Sequence, residues 1–319
     1  MTGKVFVGID VSKDWLDIAG HRGRTVERIE NTEPSIETFL TGLPLRQVAL
    51  VCFEPTGGYE RCLRHGLSRH GLAWRKANLN EVVAFRRSRG VKAKTDRQDA
   101  LVLSDFARLE LVGRQLGPAI EGDETFRGLT ARYRQLKEMR HAEHCRLKMA
   151  GPGVVRDSLE AMVKVLDDSL AAVMAALDAH ISGSPALREL AGNLRSFKGV
   201  GPVTVFTLLA DLPELGKLTG KQIAALVGLA PQQNESGKRR GQARTGHGRP
   251  GVRAVLFNVA CCAIRTNPAM KALYQRLTEV NKRPGKVALV AVMRHILVIL
   301  NAIARDNQPC KGAAALAAA

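Results

Sequence analysis

The apolar run Gln47 to Phe53 (QVALVCF) most constrains how this chain can fold. From Val48 onward it has no polar face, which predicts a β-strand that is covered on both sides. Three further β-rich runs precede it, at Lys4 to Asp10, Trp15 to Ala19 and Arg24 to Glu30. The turns between them are short and predict an antiparallel meander. We therefore expect a mixed sheet with helices packed against it.

Helices are predicted between and after these strands, and one more strand lies among them. The helices are expected at Glu33 to Leu43, Tyr59 to His70, Asn80 to Arg87 and Asp96 to Leu109, and the strand at Leu72 to Ala77. The order βββαβαβα indicates an α/β domain over residues 1–112.

The rest of the chain has a helical pattern. Apolar residues recur every three or four positions from Asp123 to Ala179, interrupted at Gly151 to Gly153, which predicts a helical coiled-coil arm within residues 113–185. The pattern allows the arm either to pack on its own domain or to form an oligomer. Ser182 to Pro185 is interpreted as a linker, and residues 186–311 are predicted to form a mostly helical domain. Residues 312–319 form an alanine-rich tail, native or added, to which we assign no function.

The formal net charge of +18 is unevenly distributed along the sequence. It is +4 over residues 1–110, zero over 111–190 and +14 over 191–319. A basic excess on one module is typical of nucleic-acid binding, although a membrane surface or an acidic protein would also attract it. Nucleic acid is the partner that this distribution favours.

Cysteine spacing and hydropathy exclude several classes. The six cysteines form no CxxC pair or Cys/His cluster, which argues against a zinc site or a disulfide framework. The N-terminus lacks the pattern of a signal peptide, and Arg294 and His295 interrupt the most apolar run, Val287 to Ile303. The sequence predicts an intracellular protein, cytoplasmic and associated with the nucleoid, without a membrane partner.

Four carboxylates occupy positions that suggest a metal site. Asp10 and Glu54 end two predicted strands, and Asp96 and Asp99 lie one turn apart at the start of a predicted helix. If the strands are neighbours and the helix docks beside them, the four meet at one edge of the sheet. An all-oxygen ligand set favours Mg²⁺, with Mn²⁺ as a second candidate. Each of these residues alone would be an ordinary turn, cap or surface charge, and Asp17 is interpreted in that way.

One serine is predicted to lie on a basic, glycine-rich loop, Asn234 to Gly251 (NESGKRRGQARTGHGRPG). The basic residues around Ser236 are Lys238, Arg239, Arg240, Arg244 and Arg249, with Arg253 following at the start of the next helix, and all six are predicted to contact nucleic acid. Arg249 and Arg253, near the N-terminus of that helix, are expected to face the substrate. Ser236 is interpreted either as a phosphate contact or as a nucleophile, with arginines neutralising the charge that develops at phosphorus. Activation of its hydroxyl is expected from the metal site, with His247 as the alternative base.

A second phosphate-binding candidate precedes this segment. Phe197 to Thr204 (FKGVGPVT) has the form of a helix-hairpin-helix turn. Gly199 and Gly201 would let backbone N–H groups approach a phosphate, and Lys198 adds positive charge. Ordinary turns share this pattern, and such a contact would carry no base specificity.

Three motifs in order extend this interpretation: GIDVSK at Gly8 to Lys13, FEPTGGYE at Phe53 to Glu60 and KTDRQDA at Lys94 to Ala100. The chain resembles the DEDD transposases of the insertion-sequence one-ten family, relatives of the Piv and MooV DNA invertases, over nearly its whole length. Asp10, Glu54, Asp96 and Asp99 match the four family carboxylates. GLAPQQNESGKRRG, Gly228 to Gly241, is similar to the C-terminal motif with its nucleophilic serine at Ser236.

The resemblance implies a RuvC-like domain of the ribonuclease H superfamily, followed by the arm and a helical transposase domain. It further implies a transient phosphoserine link to DNA, a structured bridge RNA that pairs with donor and target DNA, and assembly as a dimer or tetramer. The predicted function is a DNA recombinase that moves or inverts a mobile element. Two alternatives are a Holliday-junction or ribonuclease-H-type nuclease that uses metal and water only, and a catalytically silent nucleic-acid-binding protein.

Overall fold

The computed structural model describes residues 4–20, 25–90, 95–113, 122–233, 235–236, 239–241 and 244–310. Side chains at 110–113, 235–236 and 239–240 are not described. The chain divides into two compact units, Met1–Ala119 and Ile120–Ala319. The alanine-rich tail lies outside the described residues. Each unit is treated by itself.

The first unit is built on a five-stranded mixed sheet. Its strands are β1 (Val5–Val11), β2 (Trp15–Gly20), β3 (Val26–Glu30), β4 (Val48–Phe53) and β5 (Trp74–Lys76). The spatial order is β3-β2-β1-β4-β5, with antiparallel pairs β3-β2 and β2-β1 and parallel pairs β1-β4 and β4-β5. The predicted meander and mixed sheet are therefore confirmed.

Within the residues described for this unit, two pairs of helices accompany the sheet. They are α1 (Glu33–Gly42), α2 (Arg61–Arg69), α3 (Leu79–Ser88) and α4 (Asp96–Gly113). Alternate residues of β1 enter different cores: Val7 and Ile9 join the cluster with α1 and α2, whereas Phe6 joins the cluster with α3 and α4. This period of two is what a strand covered on both faces requires.

Gly8 determines how closely α4 approaches β1. A Cβ on Gly8 would lie 2.1 Å from the backbone nitrogen of Ser104 and 2.2 Å from the carbonyl oxygen of Ala100. The backbone of the helix thus occupies the space that any other side chain would fill. This contact places the first turn of α4 beside the end of β1.

The second unit begins with two long helices, α5 (Glu124–Met149) and α6 (Val154–Gly183). They pack against each other as an antiparallel pair, with His180 bonded to Asp123 near one end and Arg140 bonded to Asp167 further along. Phe126, at the base of α5, is buried in the same core as the helices that follow. The base of the predicted arm therefore belongs to the core of this unit.

Six more helices follow in the described part of this unit. They are α7 (Pro185–Arg195), α8 (Pro202–Asp211), α9 (Gly220–Val227), α10 (Pro250–Thr266), α11 (Pro268–Gln275), which continues into a π-helical turn (Arg276–Val280), and α12 (Gly285–Asp306). By length and composition α12 is, within the described ranges, the one unbent helix apolar enough to cross a membrane. Val292, Ile296 and Leu300 of this helix are fully buried in the core of this unit, whereas Val287 near its start is 55% exposed.

The segment Ser182 to Pro185 differs from its interpretation as a linker. Ser182 and Gly183 end α6, the Ser184 side chain caps α7, and Pro185 occupies the first turn of α7. The helix axis bends by 111° between α6 and α7. Serine and proline serve here as a helix start, a role in which both are common.

Candidate active site

Asp10 and Glu54 lie at the same edge of the sheet. β1 and β4 are parallel neighbours in which Ile9 pairs with Phe53, so the next residue on each chain is one of the two carboxylates. Parallel strands that are in register end together, and the sequence prediction for this pair of residues depended on that adjacency. Both side chains are partly exposed.

Asp96 and Asp99 open α4, which packs on β1 through Gly8. Asp96 is exposed, whereas Asp99 is buried and forms an ion pair with Arg86 of α3. The Arg86 guanidinium therefore already neutralises one of the four candidate ligands. The two α4 carboxylates thus have different surroundings although they lie one turn apart.

The surroundings of Asp10 favour its protonated form. Burial is the largest cause, followed by the negative charges of Asp96, Glu54 and Asp17 in that order, and together they raise the pKa of Asp10 to about 6. Three of the four predicted ligands therefore interact electrostatically. Asp17, which the sequence-based interpretation set aside, interacts with them as well.

Asp17 and Arg28 extend this group across the sheet. Asp10 pairs with Asp17, and Asp17 pairs with Arg28, so the three residues form one row over β1, β2 and β3. Directly opposite residues on antiparallel strands share a face. A charge inside the otherwise apolar strand WLDIAG was the signal in the sequence that could have identified Asp17.

The chemistry of these side chains fits a hard divalent cation, since all donors are oxygens. A cation would also offset the charge repulsion that, after burial, contributes to the raised pKa of Asp10. The side chains are not gathered into a completed coordination shell. Within the described ranges, no three His, Cys, Asp or Glu side chains lie close enough together to hold one ion. The carboxylates lie near one another, and their side chains would have to move closer together to coordinate one cation.

Glu60 organises the segment that follows Glu54. Its buried carboxylate accepts hydrogen bonds from Lys76 Nζ (2.6 Å), Gly58 N (3.0 Å) and Thr56 N (3.4 Å). Burial alone would raise the pKa of Glu60, but the bonds from Lys76 and the backbone outweigh it, so that the pKa is lowered. This residue, the last in FEPTGGYE, was not predicted as a functional residue.

Ser236 lies on a β-hairpin rather than on an irregular loop. The strands β6 (Glu235–Ser236) and β7 (Arg239–Arg240) are antiparallel, with Ser236 opposite Arg239. Further along, Gln232 and Arg244 exchange backbone hydrogen bonds of 2.9 and 3.1 Å. Arg244 is exposed, and Lys238 lies outside the described residues.

The two ends of the segment Gly228 to Gly248, called here the serine hairpin, meet at one point. Gly228 (φ +82°) would place a Cβ 2.3 Å from the carbonyl oxygen of His247, and Gly248 (φ +67°) would place one 2.5 Å from that of Leu226. Only glycine combines this left-handed backbone with so close an approach. His247 itself has a positive φ of 57° and an exposed side chain.

The guanidinium groups of Arg249 and Arg253 bond to other residues of the protein, although both were predicted to face the substrate. Arg249 forms a bidentate pair with Glu214, at 2.5 and 2.6 Å, and also donates to the carbonyl oxygen of Asp211. Arg253 donates to the carbonyl oxygens of Val227 (2.9 Å) and His247. Their guanidinium groups fasten the base of the serine hairpin.

The predicted helix-hairpin-helix turn joins α7 to α8. Lys198 is exposed, and Gly199 has a φ of +105°. A Cβ on Gly199 would lie 3.3 Å from Cys262 of α10, so the turn packs closely on that helix. Gly201 is the residue before α8, whose first position is Pro202.

Comparison with known proteins identifies the class. Residues 7–150 match the family model of the IS110-type DEDD transposases, and residues 191–275 match the model described as "Transposase IS116/IS110/IS902 family". The pilin gene-inverting proteins of Moraxella bovis and Moraxella lacunata are each 25% identical over 327 residues, covering 96% of this chain and 97% of each relative. A probable family 20 transposase of Pseudomonas aeruginosa is 28% identical over 150 residues, which is 44% of this chain and 41% of that protein.

An α/β unit with neighbouring carboxylates and a basic helical unit, both matching transposase models, define an enzyme that recombines DNA. More narrowly, the chain belongs to the IS116/IS110/IS902 family of transposases and invertases. The sequence-based recognition of this family is confirmed.

Proposed function

We propose that this protein cleaves and rejoins DNA strands of a mobile element through Ser236, assisted by a divalent cation at Asp10, Glu54, Asp96 and Asp99. The observation that carries the metal site is the register of β1 and β4, which places Asp10 and Glu54 together where α4 presents Asp96. Mg²⁺ is the preferred ion for oxygen ligands, and Mn²⁺ would substitute for it.

Ser236 is the proposed nucleophile. Its Oγ forms a bond to phosphorus while the bond from phosphorus to a sugar oxygen breaks, leaving a phosphoserine and a strand with a free hydroxyl. Attack by that hydroxyl, or by the hydroxyl of another strand, then reverses the exchange and frees the serine. A bound divalent cation supplies neutralisation of phosphate charge and a lower pKa for a coordinated hydroxyl. His247 is the alternative to the metal site as the group that activates the serine hydroxyl, and in that case it would accept the serine proton.

The N-terminal unit is proposed to have the RuvC-like fold of the ribonuclease H superfamily. Its three antiparallel strands followed by two parallel ones support this assignment. The carboxylates at the ends of β1 and β4 occupy the place where an active site on such a sheet is expected.

Backbone contacts to DNA or RNA are proposed for the basic second unit. The residues predicted for this role are Lys198, Gly199, Gly201, Lys238, Arg239, Arg240, Arg244, Arg249 and Arg253. Arg244 and Lys198 are the described members with exposed basic side chains, whereas Arg249 and Arg253 act first on the base of the hairpin. A bridge RNA is proposed as the source of sequence recognition, since contacts to phosphates position a duplex without reading it.

A dimer or tetramer is proposed because strand exchange between two duplexes needs several nucleophiles. The tip of the helical pair α5–α6 is the candidate interface: Met149, Val154 and Val155 are large apolar residues with most of their surface exposed there. The protein is expected to act in the cytoplasm, on the nucleoid.

The decisive experiment is to trap a denaturation-resistant adduct on a labelled DNA junction supplied with the element's RNA and Mg²⁺. The parent protein should form the adduct, and neither Ser236→Ala nor Asp10→Ala should do so. Cleavage that persists in Ser236→Ala but fails in Asp10→Ala would instead establish the metal-and-water nuclease. An adduct on any other residue would exclude Ser236 as the nucleophile.

A further inference from the structure

Arg28 is bound to two carboxylates from different elements of the first unit. Its Nε lies 3.1 Å from Asp17 Oδ1, and its Nη2 lies 2.7 Å from Asp17 Oδ2. The same Nη2 lies 3.1 Å from Oδ2 of Asp96, at the start of α4. One guanidinium therefore joins β2, β3 and the first turn of α4.

Asp17 is the fixed partner in this arrangement. It is 3% exposed, and a buried carboxylate is costly unless it is paired and hydrogen-bonded. The planar fork of arginine satisfies both oxygens at once, which an ammonium group cannot do. The demand of Asp17 for a partner therefore fixes the position of the Arg28 guanidinium.

The contact with Asp96 is of a different kind. The Asp96 side chain is 65% exposed, and an exposed ion pair contributes little energy by itself. Much of that weakness comes from the entropy lost when two mobile side chains are ordered. Because Asp17 has already ordered Arg28, the bond to Asp96 orders only one further side chain.

We infer that Asp17 and Arg28 are positioning residues that hold Asp96 in place for a divalent cation. This inference rests on the metal site proposed above and assigns two residues that lie outside the four DEDD carboxylates. Arg28 also balances the charge of Asp17, which lies directly opposite Asp10 on the neighbouring strand. Neither residue is proposed to touch DNA or to take part in bond exchange.

The test is calorimetric titration of the full-length protein with Mn²⁺, without nucleic acid, alongside thermal unfolding in a chelator. Arg28→Lys keeps the charge but cannot hold Asp17 with two bonds and also reach Asp96. Its affinity for Mn²⁺ should fall by roughly tenfold, the scale on which partners of metal ligands act. The matched control is Arg69→Lys, since Arg69 also joins two carboxylates, Glu33 (2.9 Å) and Glu37 (3.2 Å), on α1. That control should leave Mn²⁺ affinity unchanged.

A second variant separates positioning from simple stabilisation. Asp17→Asn with Arg28→Gln replaces the charged pair by a neutral hydrogen-bonded one. Its thermal stability should stay near that of the parent, while its Mn²⁺ affinity should fall as in Arg28→Lys. Mn²⁺ affinity at the parent level in Arg28→Lys, or in the double variant, would overturn the positioning role alone. If Asp10→Asn binds Mn²⁺ with the affinity of the parent protein, the proposed metal site is wrong, and this inference is wrong with it.

Discussion

Gly8 and Ser104 approach so closely that a Cβ on the glycine would lie 2.1 Å from the serine backbone nitrogen. Real side chains do not reach such distances, so α4 can dock on β1 at this depth only because residue 8 is glycine. Asp10 lies two residues beyond Gly8 on the same face of the strand, and Asp96 begins the docked helix. The glycine of GIDVSK therefore acts on the carboxylates through the position of a helix.

Gly8→Ala should displace α4 and lower the free energy of unfolding by about 3 kcal/mol, the upper range for overpacking a core. Strand cleavage should be lost together with stability. The control is Gly20→Ala in β2, where a Cβ would meet nothing within 4 Å. Chemical denaturation of both variants measures the effect, and equal stability of the two would contradict the packing argument.

The raised pKa of Asp10 predicts a pH dependence of stability without metal. An aspartate titrates near 3.8 in the reference state and at about 6 in the fold, so the folded protein holds this proton more tightly than the unfolded chain. The resulting stability is present at low pH and is lost as the pH rises from about 4 through about 6. Divalent cations should stabilise the protein increasingly over the upper part of this range, because they compete with the proton.

Asp10→Asn imitates the protonated carboxyl. In a chelator it should raise the unfolding temperature at about pH 7.5 and have a smaller effect at about pH 5. Asp14→Asn, an exposed position in the turn between β1 and β2, serves as the control. An equal gain from Asp10→Asn at both pH values would show that charge on Asp10 is not the cause.

Arg253→Gln should loosen the serine hairpin without unfolding the protein. It removes donors to the carbonyl oxygens of Val227 and His247, which lie on opposite sides of the hairpin base. Trypsin should then cut several-fold faster within residues 238–244, as expected for local opening. Arg265→Gln, on the exposed face of the same helix, is the matched control. Unchanged cleavage in Arg253→Gln would mean that the base is held by other contacts.

The salt dependence of DNA binding should distinguish Arg244 from Arg249. Arg244 is exposed, so Arg244→Gln should reduce the slope of log affinity against log salt by about one. Arg249 is paired with Glu214, so Arg249→Gln should lower thermal stability and leave the slope unchanged. If both variants lose the same amount of the salt-dependence slope, Arg249 contacts DNA as the sequence predicted.

Charge at the tip of the helical pair should weaken self-association if that tip is the oligomer interface. Val155 is 70% exposed at this tip, so Val155→Asp places a carboxylate on its surface. Light scattering should show a lower mass at equal concentration, since a buried unpaired charge is costly. Ala175→Asp, exposed nearer the base of the pair, should leave the mass unchanged.

The sequence predicted the sheet and its helices well because their periodicities are local. Runs of apolar residues located β4 and the meander, and α1 to α4 lie where four helices were predicted. The neighbouring positions of Asp10 and Glu54 also followed from strands that end in carboxylates. These features depend on residues close together along the chain.

The contacts of the site were harder to predict because they join distant residues. Asp17 was set aside as an ordinary charge, since its significance comes from strand register and from Arg28, 11 residues away. Arg249 was assigned to DNA because the sequence cannot reveal Glu214, 35 residues earlier, as its partner. The segment around Ser236 was predicted as a loop, since a hairpin of two-residue strands leaves no alternating pattern.

Because the two ends of the serine hairpin leave the helical core at a single point, its length is independent of the core that carries it. Residues could be added or removed between Gln232 and Arg244 without moving α9 or α10. The hairpin of one relative could accordingly be transplanted onto the core of another, provided that the two glycines and the two arginines at its base are retained. Such exchanges would change the surroundings of the serine while the helical core stays as it is.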